Sequence, residues 1–199
     1  CAKLMMIGMI QPPDPKDNIR RARLGVVRNT TPMLKSTTVK TWAGVFPPES
    51  CGPIVYSSPI TQRIRVPVGP NGEPGIDFEI MFLALDNEKD VGKLKGMEWT
   101  AVYVNEADLI NPSIFRYIRR RLGRFPAKRG NYRAHYPVLI MDCNSVDEDH
   151  QLAEWFQNPP EDWKFWKQPP AVLEVRRLSA RQFECIEDDP LYKGRKITS

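Results

Sequence analysis

The sequence contains no Cys-x-x-Cys pair. Its four cysteines, Cys1, Cys51, Cys143 and Cys185, lie far apart, which argues against a zinc site or a disulfide framework and fits a reducing cytosol. No apolar run approaches the roughly 20 residues that a membrane span needs. The stretch 4–10 is apolar but short, with neither a basic leader nor a cleavage site, so it does not read as a signal peptide. A phosphate loop of the form Gly-x-x-x-x-Gly-Lys-Ser/Thr is missing as well. Gly69 to Gly75 holds glycines but no lysine, and Val91-Gly92-Lys93-Leu94-Lys95-Gly96 is not followed by serine or threonine, so this chain lacks the usual cradle for a nucleotide's phosphates.

Acid is absent from one long stretch. Arg116, Arg119, Arg120, Arg121, Arg124, Lys128, Arg129 and Arg133 follow one another with no aspartate or glutamate between them. Such one-signed charge is costly unless it meets phosphates or an acidic neighbour. Three readings stay open for it: contact with DNA phosphates, sensing of a nucleotide, or a solvated face.

What is present suits one sizeable soluble domain. The 199 residues are 41% hydrophobic and 27% charged, with a net charge of +5, enough chain for a real core. The sequence opens at Cys1 on an apolar stretch that reads as the middle of a helix, so a fragment is expected. Residues 2–10 predict a buried helix stopped by Pro12 and Pro13, and Leu24 to Val27 a buried strand ending at Arg28. Thr30 or Thr31 can cap the next helix, with Pro32 in its first turn; it carries Leu34, Val39 and Trp42. Alternation over 62–68 and a run over 76–85, joined by a turn-rich 69–75, predict a β-hairpin. A polar helix or turn is expected over 86–95, then a strand from Trp99 to Val104. A helix runs from Asn111-Pro112 to Gly123 with Ile114, Ile118 and Leu122 on one face. A strand over 137–141, a short helix from about Asp149 to Phe156 and an aromatic strand over 163–167 complete the pattern. After Gln168-Pro169-Pro170 no clear element is read.

Strands alternating with helices imply an α/β domain with a mostly parallel sheet. Ligands bind such sheets at the carboxyl ends of the strands, where Arg28, Asn105-Glu106 and Asn144 should converge on one crevice. Residues 101–108 are the most informative stretch: a run of β-formers ends in Asn105 and then Glu106. A carboxylate there can orient water in line with a nucleotide's γ-phosphate, or it can simply be a strand-end glutamate capping the next turn. Asn105 stands where a Mg²⁺-holding aspartate is commonly found; it keeps an oxygen acceptor and loses the charge, so it would act only weakly, through a metal-bound water. Asp147-Glu148-Asp149-His150 reads as acids stabilising the start of the following helix rather than as a metal cluster. Trp155, Trp163 and Trp166 read as core, and His135 carries no signal.

Leu94-Lys95-Gly96, then 99–107, then Ile118-Arg119-Arg120-Arg121-Leu122-Gly123-Arg124-Phe125-Pro126 resembles the ATPase centre of the large terminase subunit of tailed bacteriophages. Met141-Asp142-Cys143-Asn144-Ser145, Asp147 to His150, and Trp163 to Pro169 resemble the segment that follows in one terminase branch. Val26-Val27-Arg28-Asn29-Thr30 and Leu34-Lys35-Ser36 fit upstream. The resemblance covers residues 1–170 and implies a P-loop NTPase fold of the RecA-like, three-layer kind with an added β-hairpin. It implies a motor that uses ATP and Mg²⁺ to thread double-stranded DNA through a portal protein into a procapsid, working with a small terminase subunit as a homo-oligomeric ring. Its place would be the host cytoplasm, not the mature virion or a membrane.

Carried over by position, Glu106 would activate water, with Lys95 and Arg28 as further catalytic groups. Asn105, Asn144 and Arg124 would bind nucleotide, Asn105 on the metal side. Arg119, Arg120, Arg121, Lys128 and Arg129 would contact DNA. Lysine at position 95 is a point charge where some relatives place an arginine's bidentate fork. The phosphate loop is expected just before Cys1, and residues 171–199 are expected to be a linker toward an absent nuclease domain. Two other readings stand beside this one. A helicase-like ATPase should show helicase motifs after the Glu106 strand, and none is seen. A catalytically inactive nucleic-acid-binding or assembly module accords with Asn105 and the missing loop.

Overall fold

The computed structural model describes residues 2–85, 90–144 and 146–166, together with three short strands further on. The chain divides into two compact units, Cys1–Gln157 and Asn158–Ser199. In the first unit a helix α1 (Ala2–Met9) leads to strand β1 (Ile19–Arg28). A continuous helical stretch follows: α2 (Thr31–Met33), a π-helical segment (Leu34–Val39) and α3 (Lys40–Val45). Then come α4 (Pro48–Cys51) and strands β2 (Ile54–Val55), β3 (Ile60–Val66) and β4 (Gly75–Ala84). Helix α5 (Val91–Leu94), strand β5 (Ala101–Val104), helix α6 (Pro112–Arg119), strand β6 (Val138–Met141) and helix α7 (Ala153–Gln157) complete it.

The six strands form one sheet in the order β2-β3-β4-β1-β5-β6. β4, β1, β5 and β6 are mutually parallel, while β3 folds back on β4 as the expected hairpin. Side chains of a strand alternate between faces, and the alternation here sorts the core into two clusters. Leu24, Val26, Phe78, Ile80 and Phe82 point to one face, where Leu4, Leu34, Val39 and Trp42 cover them. Val27, Met81, Leu83, Val102 and Val104 point to the other, against Leu94, Ile114, Phe115 and Ile118. Helices therefore cover both faces of the parallel strands, as a parallel sheet requires. Gly8 lets α1 approach closely: a Cβ there would stand 2.7 Å from the Phe78 ring.

Gln62 and Asp14 are among the buried polar residues of this frame. Gln62, on β3, accepts from the Trp42 indole nitrogen at 2.6 Å and donates to the carbonyls of Gly52 (2.7 Å) and Phe46 (3.2 Å). Asp14 lies in the turn before β1 and accepts from the Lys16 amide (3.1 Å), Arg21 (3.1 Å) and Arg129. Burial alone would raise the Asp14 carboxyl, but the Lys16 amide and the hydrogen bond and charge of Arg129 outweigh it and hold it below the usual aspartate range. A depressed carboxyl adds stability that is present above its unfolded value of about 3.9 and is lost as pH falls through the lower folded value. Urea midpoints should therefore fall between pH 6 and pH 3 more steeply in the wild type than in Asp14→Asn; equal slopes would remove this role.

Several elements differ from their sequence reading. Thr30 occupies the cap position of α2 without a side-chain cap bond. Helix α6 ends at Arg119 rather than at Gly123, which takes a left-handed turn (φ 71°) beyond it. Helix α7 begins at Ala153, so Asp147 and Asp149 precede it by a turn and do not sit in its first turn. Residues 163–166 form no strand, because this segment has no neighbouring strand to pair with among the described residues; Lys167 lies outside them. Trp155 packs edge-on against Phe115 as core. Trp166, in contrast, is 82% exposed, while Trp163 and Phe165 stack on each other. Residues 86–89 of the expected polar helix lie outside the described residues. In the second unit, where no element was read after residue 170, β7 (Val175–Arg177), β8 (Gln182–Cys185) and β9 (Lys196–Thr198) pair as an antiparallel sheet. Strands of three and four residues are too short to show an alternation in sequence. Among the described residues no helix is long and apolar enough to cross a membrane.

Candidate active site

Register builds the site. Val27 on β1 pairs with Val104 on β5, and Val104 with Met141 on β6. The next residue along each strand is Arg28, Asn105 and Asp142, so an apolar row ends in a polar one at the carboxyl edge of the sheet. The main chain continues the ladder there, since the Asn105 amide donates to Val27 (2.9 Å) and the Asp142 amide to Val104 (3.1 Å).

The side chains of that row bind one another. Arg28 is 3% exposed. One of its terminal nitrogens pairs with the Glu106 carboxylate at 2.5 Å and the other donates to the Asn105 amide oxygen. The same oxygen accepts from the Thr38 hydroxyl at 3.3 Å, and the Asn105 amide nitrogen donates to Asp142 at 3.1 Å. Arg28 Nε is buried without a hydrogen-bond partner among the described residues. Burial, and after it the Asp142 charge, push the Tyr103 phenol above its ordinary value. Burial also pushes the Cys143 thiol up, aided by Asp108 and Asp142.

Glu106 adopts a left-handed conformation (φ 54°, ψ 61°). A non-glycine residue in that region is uncommon and clusters at functional sites, where the surroundings over-determine it. Beyond it a 3₁₀ turn, Ala107–Leu109, leads to the Asn111 cap of α6, whose side chain accepts from the Ser113 amide at 2.9 Å.

Arg28, Asn105 and Glu106 are thus brought together. Asn144 is exposed two residues past Asp142 and makes no hydrogen bond among the described residues. Lys95 is exposed at the end of α5. The lysine that turns back to the sheet there is Lys93, which donates to the Ala84 carbonyl (3.3 Å) and pairs with Asp90 (2.7 Å).

The basic segment lies at the other end of β5. The Trp99 amide donates to the Arg121 carbonyl (3.1 Å), the Thr100 hydroxyl to the Phe125 carbonyl (2.8 Å), and Arg23 lies over the Phe125 ring. Thr100 to Val104 is about 13 Å of strand, so Arg124 is not brought to Glu106 within one chain. Arg119, Arg120, Arg124 and Lys128 are exposed and Arg121 is half-buried. Arg120 faces Tyr117, and Arg129 is engaged by Asp14 and Tyr132.

Sequence reasoning missed Asp142 and Thr38. Asp142 was legible: it is the first polar residue after an apolar strand, as Arg28 and Asn105 are. Thr38 reaches Asn105 from the π-helical segment, a distortion frequent at functional sites that helical periodicity does not show.

No family model and no curated protein matches the sequence. The fold does resemble a solved structure: the large terminase from a thermophilic bacteriophage superposes with a TM-score of 0.51 at 11% identity, over 78% of this chain and 34% of that one. The chain thus spans about a third of that terminase's length. A large terminase ATPase domain from a Thermus phage covers 63% of this chain and 50% of its own at 15% identity, with a TM-score of 0.32. The first likeness shows the fold. The chain has the three-layer α/β fold of a phage large terminase, with a mostly parallel sheet and an antiparallel hairpin added at one side, as the sequence motifs led us to expect.

Proposed function

We propose that this chain is part of a viral DNA-packaging motor that couples ATP hydrolysis to translocation of double-stranded DNA into a procapsid. The observation that carries this reading is Glu106: a left-handed carboxylate at the carboxyl edge of a parallel sheet, held by a buried arginine. In this role Glu106 leaves Arg28 and orients the water that attacks the γ-phosphate, and the terminal nitrogen of Arg28 that Glu106 vacates faces the phosphate oxygens. Lys95, Arg124 and Asn144 are remote from this pair or make no contact with it, so any part they play falls to a neighbouring copy or a changed conformation. The ring, the portal protein and the small terminase subunit are the partners this reading entails.

The donor set fits a nucleotide in part. Both lone pairs of the Asn105 oxygen are taken, by Arg28 and Thr38, so it does not fit as the Mg²⁺-side ligand. Among the described residues no three acidic, histidine or cysteine side chains gather to hold a metal. Mg²⁺ therefore belongs to the reading as part of the MgATP substrate, and no step is assigned to it. A second reading, an inactive nucleic-acid-binding or assembly module, is favoured by that committed oxygen.

Steady-state ATP hydrolysis by the full-length protein, with and without double-stranded DNA, separates the two. DNA-stimulated turnover is expected; none under any condition would leave the inactive module. Arg119, Arg120 and Arg121 give a second measurement. Replacing all three with alanine should weaken DNA binding and reduce the slope of log K against log salt by about 0.9 for each DNA phosphate no longer neutralised. An unchanged slope would return them to a solvated face.

A further inference from the structure

We propose that Asp142 is the positioning residue of this site, clamping the left-handed turn at Glu106 from the neighbouring strand. Its carboxylate accepts from the Glu106 amide at 3.3 Å, and its main-chain carbonyl accepts from the next amide, Ala107, at 2.8 Å. One residue therefore holds the peptide groups on both sides of the Glu106 α-carbon. The carboxylate also accepts from the Asn105 amide nitrogen at 3.1 Å, which fixes that amide with its oxygen toward Arg28 and Thr38. Charged acceptors make the stronger hydrogen bonds, and left-handed backbone persists at a side-chain-bearing residue only when its neighbours impose it. Without the carboxylate, the Glu106 amide loses its partner, Asn105 is free to turn over, and Glu106 can relax toward the right-handed region. Its carboxylate would then be turned away from the line of attack, and ångström-scale misplacement of this kind costs about 10²-fold in rate.

The catalytic part of this inference rests on the proposed hydrolysis; the clamp itself does not. The test compares Asp142→Ala with Asp142→Asn, which keeps an acceptor oxygen, in the full-length protein. Hydrogen exchange over residues 103–108 and steady-state ATP turnover are the readouts. Asp142→Ala should speed exchange of the Glu106 amide by about tenfold or more and lower kcat by about 10²-fold with KM for ATP little changed. Asp142→Asn should restore most of both. Exchange unchanged in Asp142→Ala overturns the clamp whatever the turnover. Faster exchange with an equal loss of kcat in both variants overturns it in favour of a role for the charge alone. A wild type without hydrolysis overturns the proposed function, while exchange still decides the clamp. A stability cycle is the safeguard if Asp142→Ala folds poorly. Glycine takes left-handed backbone freely, so Asp142→Ala should lower the urea midpoint less in a Glu106→Gly background; equal losses overturn the clamp.

Discussion

Glu106→Gln should lower ATP hydrolysis by the full-length protein about 10²- to 10⁴-fold, the range that a positioned acid–base group contributes, with nucleotide affinity kept. The substitution is close to isosteric. A glutamine oxygen can still accept from Arg28, which now meets the Glu106 carboxylate at 2.5 Å, so the buried guanidinium keeps a partner and the fold should survive. What is lost is the negative charge that draws a proton from water. Such a variant lowers kcat and leaves binding intact, the signature of an interaction needed only at the chemical step. Turnover within twofold of wild type would reduce Glu106 to the polar end of a strand.

Gln62→Leu should destabilise the first unit by about 3 kcal/mol, because each buried polar group left unpaired costs about 1–3 kcal/mol. The side chain is 1% exposed and its three hydrogen bonds end on the Trp42 indole, itself 1% exposed, and on the carbonyls of Phe46 and Gly52. Leucine fills the volume and answers none of the three. For a chain of this size the melting temperature should fall by roughly 6–12 °C. Trp42→Phe in the same background should cost less than its own effect added to that of Gln62→Leu, since the two share one hydrogen bond. Calorimetry or urea titration decides it; a shift under about 1 °C would mean that water replaces the glutamine.

The site was half legible in the sequence for a physical reason. Apolar runs ending in a polar residue mark the carboxyl ends of buried strands, and that rule alone finds Arg28, Asn105 and Glu106. The same rule finds Asp142, which directly follows the 137–141 run, whereas Asn144 stands two residues further along. Thr38 was out of reach, since only three-dimensional packing brings a residue of the helical stretch to the sheet edge. Gln62 was hidden differently: in the hairpin's alternation it falls on the side opposite Arg63, yet nothing in the pattern says that a polar residue is buried there. The hairpin, the α6 start at Asn111 and the central strands were legible because each carries its own local signal. The strands of the second unit carry none.

The register of β5 has a consequence for how this chain tolerates change. Val102 and Val104 are fully buried on one face, and the polar row begins one residue later. Deleting a single residue within β5 would turn every later side chain to the opposite face. It would also draw Glu106 back by about 3.3 Å along the strand, out of step with Arg28 and Asp142. Core and site share one coordinate along this strand, so neither can be shifted without the other. Variation in length should accordingly be best tolerated in the 69–75 connection, and insertion scanning would find β5 the least forgiving stretch of the sheet.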